Sequence, residues 1–108
     1  MGAMGFYVIE YRYPSDLKNL VEDFRPAHRT YMRTLEKEGR LVASGFLSDA
    51  SFEGGMVILR ADSAHDANAL VENDPFYLNG LMEDLKVRRW TPTLGQNAPS
   101  FDTRFPFS

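Results

Sequence analysis

The chain of 108 residues contains no cysteine and only two histidines. The absence of cysteine excludes disulfide bonds, thiolate nucleophiles and cysteine-ligated metal ions, and two histidines offer too few ligands for a dedicated metal site. We therefore expect no metal ion. No apolar run reaches the ~18 residues that a membrane-spanning helix needs. The net charge is −3 with acids and bases interspersed, which disfavours a nucleic-acid partner. We expect a cytoplasmic domain that binds neither membrane nor nucleic acid.

The alternation of apolar residues and the turn residues between them predict a strand–helix order. The predicted elements are a strand at 6–13, a short helix at 16–22, a main helix at 26–38, strands at 41–48 and 56–61 joined by a turn at 49–55, a helix opened by Ser63, a short helical turn opened by Asp74, and a strand at 85–93. This β-α-β-β-α-β order is the split-βαβ pattern. It predicts an α+β, ferredoxin-like fold in which a four-stranded antiparallel sheet carries its helices on one face.

Pro26 interrupts the longest apolar stripe, whose members recur every three or four residues from Leu17 to Leu35. A proline inside a helix costs about 3 kcal/mol, whereas at the first helical position it costs almost nothing. We therefore predict a break at residues 23–25 and a main helix that begins at Pro26. Gly39 is the predicted C-terminal stop of that helix.

The sheet face opposite the helices has no cover from its own chain. A large exposed apolar face usually marks an interface, so we expect a homodimer joined through the open sheet faces. The segment 96–108 follows the predicted domain and carries Phe101, Phe105 and Phe107, which makes it too apolar for a solvated tail. We expect this C-terminal aromatic tail to add to the contact with the dimer partner.

His28 is the first candidate for chemistry, because it lies on the apolar stripe of the main helix. If that helix begins at Pro26, the helix dipole disfavours the charged imidazolium, and a nearby carboxylate would favour it again. A histidine balanced in this way is suited to general acid–base catalysis near neutral pH. The alternative is a buried structural histidine that is hydrogen-bonded to a backbone carbonyl.

Asp74 precedes Pro75 and is an ideal N-cap for a short helix, and this role alone explains its presence. Its second oxygen can still bind a histidine, and such a pair fixes the tautomer and orientation of the imidazole. Arg25 either contacts an anionic substrate or pairs with neighbouring acidic residues on the surface. Ser44 either presents its hydroxyl to a cleft or serves only as a small residue in a strand.

Several short motifs, in their order and spacing, resemble the YCII-related domain family over residues 4–95. They are FYVIEY at 6–11, Arg25-x-x-His28, Gly39-Arg40-Leu41, Ser44-Gly45, Asp74-Pro75-Phe76, and a last strand that ends in Trp90. The resemblance implies a ferredoxin-like domain that pairs as a dimeric α/β barrel. It also implies a histidine–aspartate site in a cleft, which maps to His28 and Asp74. Some relatives act in the breakdown of halogenated or hydroxylated aromatics, for example in dehydrochlorination. Members usually carry proline where this chain has Phe46.

Two functions stay open at this point. The first is a small cofactor-independent enzyme of the lyase, isomerase or dehydrochlorinase type, which acts on a small aromatic or carbonyl-bearing molecule. In it His28 would be the general acid or base, Asp74 would orient it, and Arg25 and Ser44 would bind the substrate. The second is a non-catalytic dimeric protein that binds a small ligand or serves as an accessory subunit. It predicts that His28 is inaccessible or pairs only with the backbone.

Overall fold

The computed structural model describes residues 4–101 as one antiparallel sheet with its helices on one face. The elements are β1 (Gly5–Arg12), α1 (Lys18–Lys37), β2 (Leu41–Ser48), β3 (Glu53–Ala61), α2 (Ala64–Glu72), α3 (Pro75–Leu78), β4 (Glu83–Trp90) and a 3-10 turn (Ala98–Phe101). The strand order is β2-β3-β1-β4, and all neighbours are antiparallel. The predicted ferredoxin-like order and four-stranded sheet are confirmed.

The register between β1 and β3 decides which side chains face the helices. Tyr7 lies opposite Leu59 and Ile9 lies opposite Val57, and all four are almost completely buried. Because side chains alternate along a strand, Tyr11 shares this face with Tyr7 and Ile9. These residues form the core together with the buried positions of the helices.

Helix α1 runs unbroken through Pro26, so the predicted break at residues 23–25 is wrong. Val21 before the proline, and Met32 and Leu35 after it, are all buried in the core. Burial of a continuous apolar stripe outweighs the single backbone hydrogen bond that a proline cannot donate. His28 therefore lies well past the first turn of α1, and the expected effect of the helix dipole on its charge does not apply.

Strand β3 begins at Glu53 and includes Gly54 and Gly55, which the sequence placed in a turn. A Cβ atom at Gly54 would lie 1.9 Å from the backbone oxygen of Tyr11. Glycine is thus required by the close approach of β3 to β1, a role that sequence alone does not separate from turn formation. Strand β4 also begins earlier than predicted and ends at Trp90.

The face of the sheet away from the helices carries half-buried Val8, Met56 and Ile58. One end of this face is covered by Phe101, whose ring centroid lies 5.1 Å from those of both Phe6 and Trp90. Phe105 and Phe107 lie outside the described residues, so the expected contact of the tail with a partner stays a prediction. None of the helices within residues 4–101 is long and apolar enough to cross a membrane.

Candidate functional site

His28 and Asp74 form a buried pair between α1 and the start of α3. The Nδ1 atom of His28 lies 3.0 Å from Oδ1 and 2.9 Å from Oδ2 of Asp74. The exposed fractions of the two residues are 9% for His28 and 1% for Asp74. A carboxylate can only accept hydrogen bonds, so Nδ1 carries the hydrogen and donates it. The pair leaves Nε2 as the ring nitrogen that is available to a ligand.

Asp74 is held in place because it is also the N-cap of α3, as the sequence predicted. Its Oδ1 accepts a hydrogen bond of 2.9 Å from the backbone N–H of Phe76, and Pro75 occupies the first helical position. The fully buried Phe76 ring stacks on the imidazole of His28, with centroids 4.2 Å apart and planes inclined by 14°. One short motif therefore fixes the imidazole both at its edge and on its face.

A cavity of about 360 Å³ opens beside His28, between α1 and the exposed strand β2. The side chains around it are Tyr11, Tyr13, Arg25, His28, Arg29, Met32, Arg33, Glu36, Leu41, Ser44, Phe46 and Val57, together with Gly45. Cavities of this size hold small ligands. Four site residues were predicted from the sequence. Three of them line the cavity, namely His28, Arg25 and Ser44, and the fourth, Asp74, lies behind His28. The Nε2 edge of the imidazole is thus the edge that can meet a molecule in the cavity.

Arg25 forms the surface ion pair that was one of its two predicted roles, and contact with an anionic substrate stays a prediction. Its guanidinium donates hydrogen bonds of 2.8 and 3.2 Å to the carboxylate of Glu22, and one of 3.4 Å to the hydroxyl of Tyr13. The bond to Glu22 is the main cause that raises the pKa of Arg25 above its ordinary value. Arg25 is therefore a surface ion-pair partner that also lines the cavity.

Tyr11 is a residue of the site that the sequence reasoning missed. Its side chain lines the cavity although the residue is only 3% exposed. Burial raises the pKa of the Tyr11 phenol far above its ordinary value, and the nearby Tyr13 and Asp74 raise it further. Tyr11 is therefore a neutral hydroxyl that can donate a hydrogen bond. The signal was present, because alternation along β1 places Tyr11 on the same face as Ile9.

Gly55 makes room for this phenol. A Cβ atom at Gly55 would lie 2.4 Å from the hydroxyl oxygen of Tyr11. Arg29 and Arg33 were also missed, although they follow Arg25 at successive intervals of four residues, which places all three along the same side of α1. Within residues 4–101 no group of three histidine, cysteine, aspartate or glutamate side chains could hold a metal ion.

Comparison with known proteins gives a family and two related structures. The family model described as the YCII-related domain matches residues 4–91, which confirms the resemblance that the motifs indicated. A solved structure of 5-chloro-2-hydroxyhydroquinone dehydrochlorinase from Burkholderia phenoliruptrix, in complex with 2,5-dihydroxybenzoquinone, is similar with a TM-score of 0.70 and 25% identity. The match covers 79% of this chain and 92% of that one.

A second solved structure, Rv0793 from Mycobacterium tuberculosis, shares the fold with a TM-score of 0.52 at 15% identity. That match covers 87% of this chain and 99% of the other. A search of curated proteins gave no match. The dehydrochlorinase is thus a small-molecule enzyme with the same fold and about a quarter of its residues in common with this chain.

Proposed function

Because the chain belongs to the YCII-related domain family, we propose that it is a small enzyme whose His28 and Asp74 move a proton on a small aromatic or carbonyl-bearing molecule. The observation that carries this proposal is the buried contact between Nδ1 of His28 and the Asp74 carboxylate, at the wall of a ligand-sized cavity. The residues supply the chemistry without a cofactor.

In the proposed reaction, Nε2 of His28 accepts a proton from a C–H or O–H group of the substrate. The electron pair of that bond moves into the conjugated system, and Asp74 stabilises the imidazolium that forms. Return of the proton at another atom completes an isomerisation. Departure of a chloride ion with the electrons of its C–Cl bond completes an elimination instead, the type of reaction that the name of the related dehydrochlorinase describes.

Arg25, Ser44 and Tyr11 bind the substrate in this proposal. Arg25 keeps a positive charge at the cavity, Ser44 offers a hydroxyl from β2, and Tyr11 offers a neutral phenol that donates to a developing oxyanion. The non-catalytic alternative predicted that His28 is inaccessible or pairs only with the backbone. The enzyme is favoured because His28 pairs with the side chain of Asp74 and also lines the cavity.

The proposal is tested by chloride release from 5-chloro-2-hydroxyhydroquinone and a panel of halogenated and hydroxylated ring compounds. Acid–base catalysis contributes at least about a hundredfold to rate, so His28→Ala should lower kcat/KM by that factor or more. Asp74→Asn should also lower it, because the imidazole loses its carboxylate partner. His65→Ala is the matched control, since His65 is exposed and outside the cavity. Turnover that survives in His28→Ala would refute the proposal.

We further propose that the protein is a homodimer joined through the open sheet face, as the sequence led us to expect. The support is the half-buried apolar group of Val8, Met56 and Ile58 at the centre of that face. Charged residues border this group, and Glu10 pairs there with Arg88 of the neighbouring strand. An apolar centre with a polar rim is the usual composition of an interface.

A further inference from the structure

Three arginines follow one another along α1 at intervals of four residues, namely Arg25, Arg29 and Arg33. Side chains four residues apart lie one above the other on the same side of a helix. All three line the cavity next to His28. The helix thus presents a row of positive charge to one wall of the proposed active site.

The three arginines differ in whether their charge is already matched. Arg25 is paired with Glu22 through two hydrogen bonds. Among residues 4–101, neither Arg29 nor Arg33 has a hydrogen bond or ion pair with another side chain. Among the described residues that line the cavity, Glu36 is the one acidic residue, and it forms no ion pair with Arg33.

Arg29 is attracted to Glu22, but Glu22 already forms its ion pair with Arg25. Two arginines four residues apart repel each other, and an anion between them would relieve that repulsion. A guanidinium presents a planar fork of donors that fits the two oxygens of a carboxylate or of a similar delocalised anion. The facing wall carries the exposed ring of Phe46 on β2, and Tyr11 and Tyr13 also line the cavity. Aromatic walls and a volume of about 360 Å³ suit a single planar ring.

We propose that Arg29 and Arg33 form an anion subsite at the mouth of the cavity, and that the substrate is a hydroxylated aromatic ring that carries a carboxylate or a comparable anionic group. The subsite rests on the proposed function, because it places the ring between the arginines and Nε2 of His28. The anionic group binds the arginines, and the hydroxyl at the far side of the ring meets His28 and Tyr11.

A matched pair of probes isolates the charge. The probes are 2,5-dihydroxybenzoate and 2,5-dihydroxybenzamide, which share size and ring but differ in the negative charge, and their Kd values are measured by calorimetry at low salt. Arg29→Gln and Arg33→Gln should each weaken binding of the benzoate by roughly threefold to tenfold, in line with a partly exposed charged hydrogen bond. Binding of the benzamide should not change.

Lys37→Gln is the control, because it removes one positive charge from the same helix at a position outside the cavity. Equal affinity of the unmodified protein for the two probes, or equal weakening in Lys37→Gln, would overturn the subsite. The proposed function is decided separately by the His28 dependence of turnover. Dependence on His28 without dependence on the arginines rejects only the subsite, and the reverse result rejects only the acid–base proposal.

Discussion

The phenol of Tyr11 is buried near Asp74, and burial raises its pKa far above the ordinary value. The raised pKa means that the folded chain keeps a proton that the unfolded chain loses above about pH 10. Above this pH the folded state binds more protons, so the free energy of unfolding falls as pH rises. The contribution of Tyr11 to stability is therefore fully present below about pH 10 and is lost above it.

Replacement of Tyr11 by Phe should flatten this dependence. One group that titrates only in the unfolded state, with a pKa of about 10, changes the free energy of unfolding by about 1.4 kcal/mol in total between about pH 9 and pH 11, and Tyr11→Phe should remove that share. The measurement is urea unfolding at several values from about pH 9 to pH 11. Tyr77→Phe, which alters an exposed tyrosine, controls for the loss of one phenol. A slope that is identical in unmodified protein and Tyr11→Phe would contradict the buried neutral phenol.

At the scale of the elements, α1 and α3 each contain a proline, and the two prolines should have opposite effects on stability. Pro26 lies in the interior of α1, where it removes a hydrogen bond, and Pro75 occupies the first position of α3, where no hydrogen bond is lost. Pro26→Ala should raise the free energy of unfolding by about 2 kcal/mol, after the greater entropy of the unfolded chain is subtracted. Pro75→Ala should lower it by about 0.5–1 kcal/mol.

Urea unfolding of the two variants decides this point. Opposite signs of the two changes are the expected result. If Pro26→Ala instead destabilises the protein as much as Pro75→Ala does, Pro26 occupies a position where proline stabilises the fold, such as the start of a helix. The helix would then break before it, as the sequence alone indicated.

The elements also show how far sequence reasoning reaches. Strand alternation and the Asp74-Pro75-Phe76 cap have purely local causes, so the sheet and the cap could be predicted. His28 could also be predicted as a candidate partner of Asp74. The continuity of α1 could not, because it depends on tertiary burial that exceeds a local penalty. Gly54 was assigned to a turn in the sequence. The reason that glycine is needed there is its contact with the backbone of Tyr11, and this contact arises only when β1 and β3 pair.

The candidate site divides in the same way. The residue types alone indicated four candidates, namely His28, Asp74, Arg25 and Ser44. The resemblance to the family then indicated that His28 and Asp74 belong to one site. The roles of Arg29, Arg33 and Tyr11 depend on which side of an element meets the cavity. That relation follows from the packing of α1 across the sheet, so a residue-by-residue reading missed it.

At the scale of the whole molecule, the proposed homodimer predicts a particle of twice the 12.3 kDa chain mass. Light scattering after size exclusion measures this mass directly. Ile58→Lys should produce monomers, because it places a charge at the centre of the half-buried apolar group on the open face. Leu78→Lys is the control, since Leu78 is 66% exposed on α3, away from that face. A single-chain mass for the unmodified protein at all concentrations would rule out the dimer.

The most direct test of the acid–base site is the position of the hydrogen on the neutral imidazole of His28, read from long-range ¹⁵N–¹H correlations. The contact with Asp74 predicts a hydrogen on Nδ1 and a free lone pair on Nε2. Asp74→Asn should shift the hydrogen to Nε2, because an asparagine amide can donate to Nδ1 while still capping α3. The exposed His65 is an internal reference. A hydrogen on Nε2 in the unmodified protein, or the same tautomer with and without the Asp74 carboxylate, would contradict a site in which Asp74 prepares His28 to accept a proton.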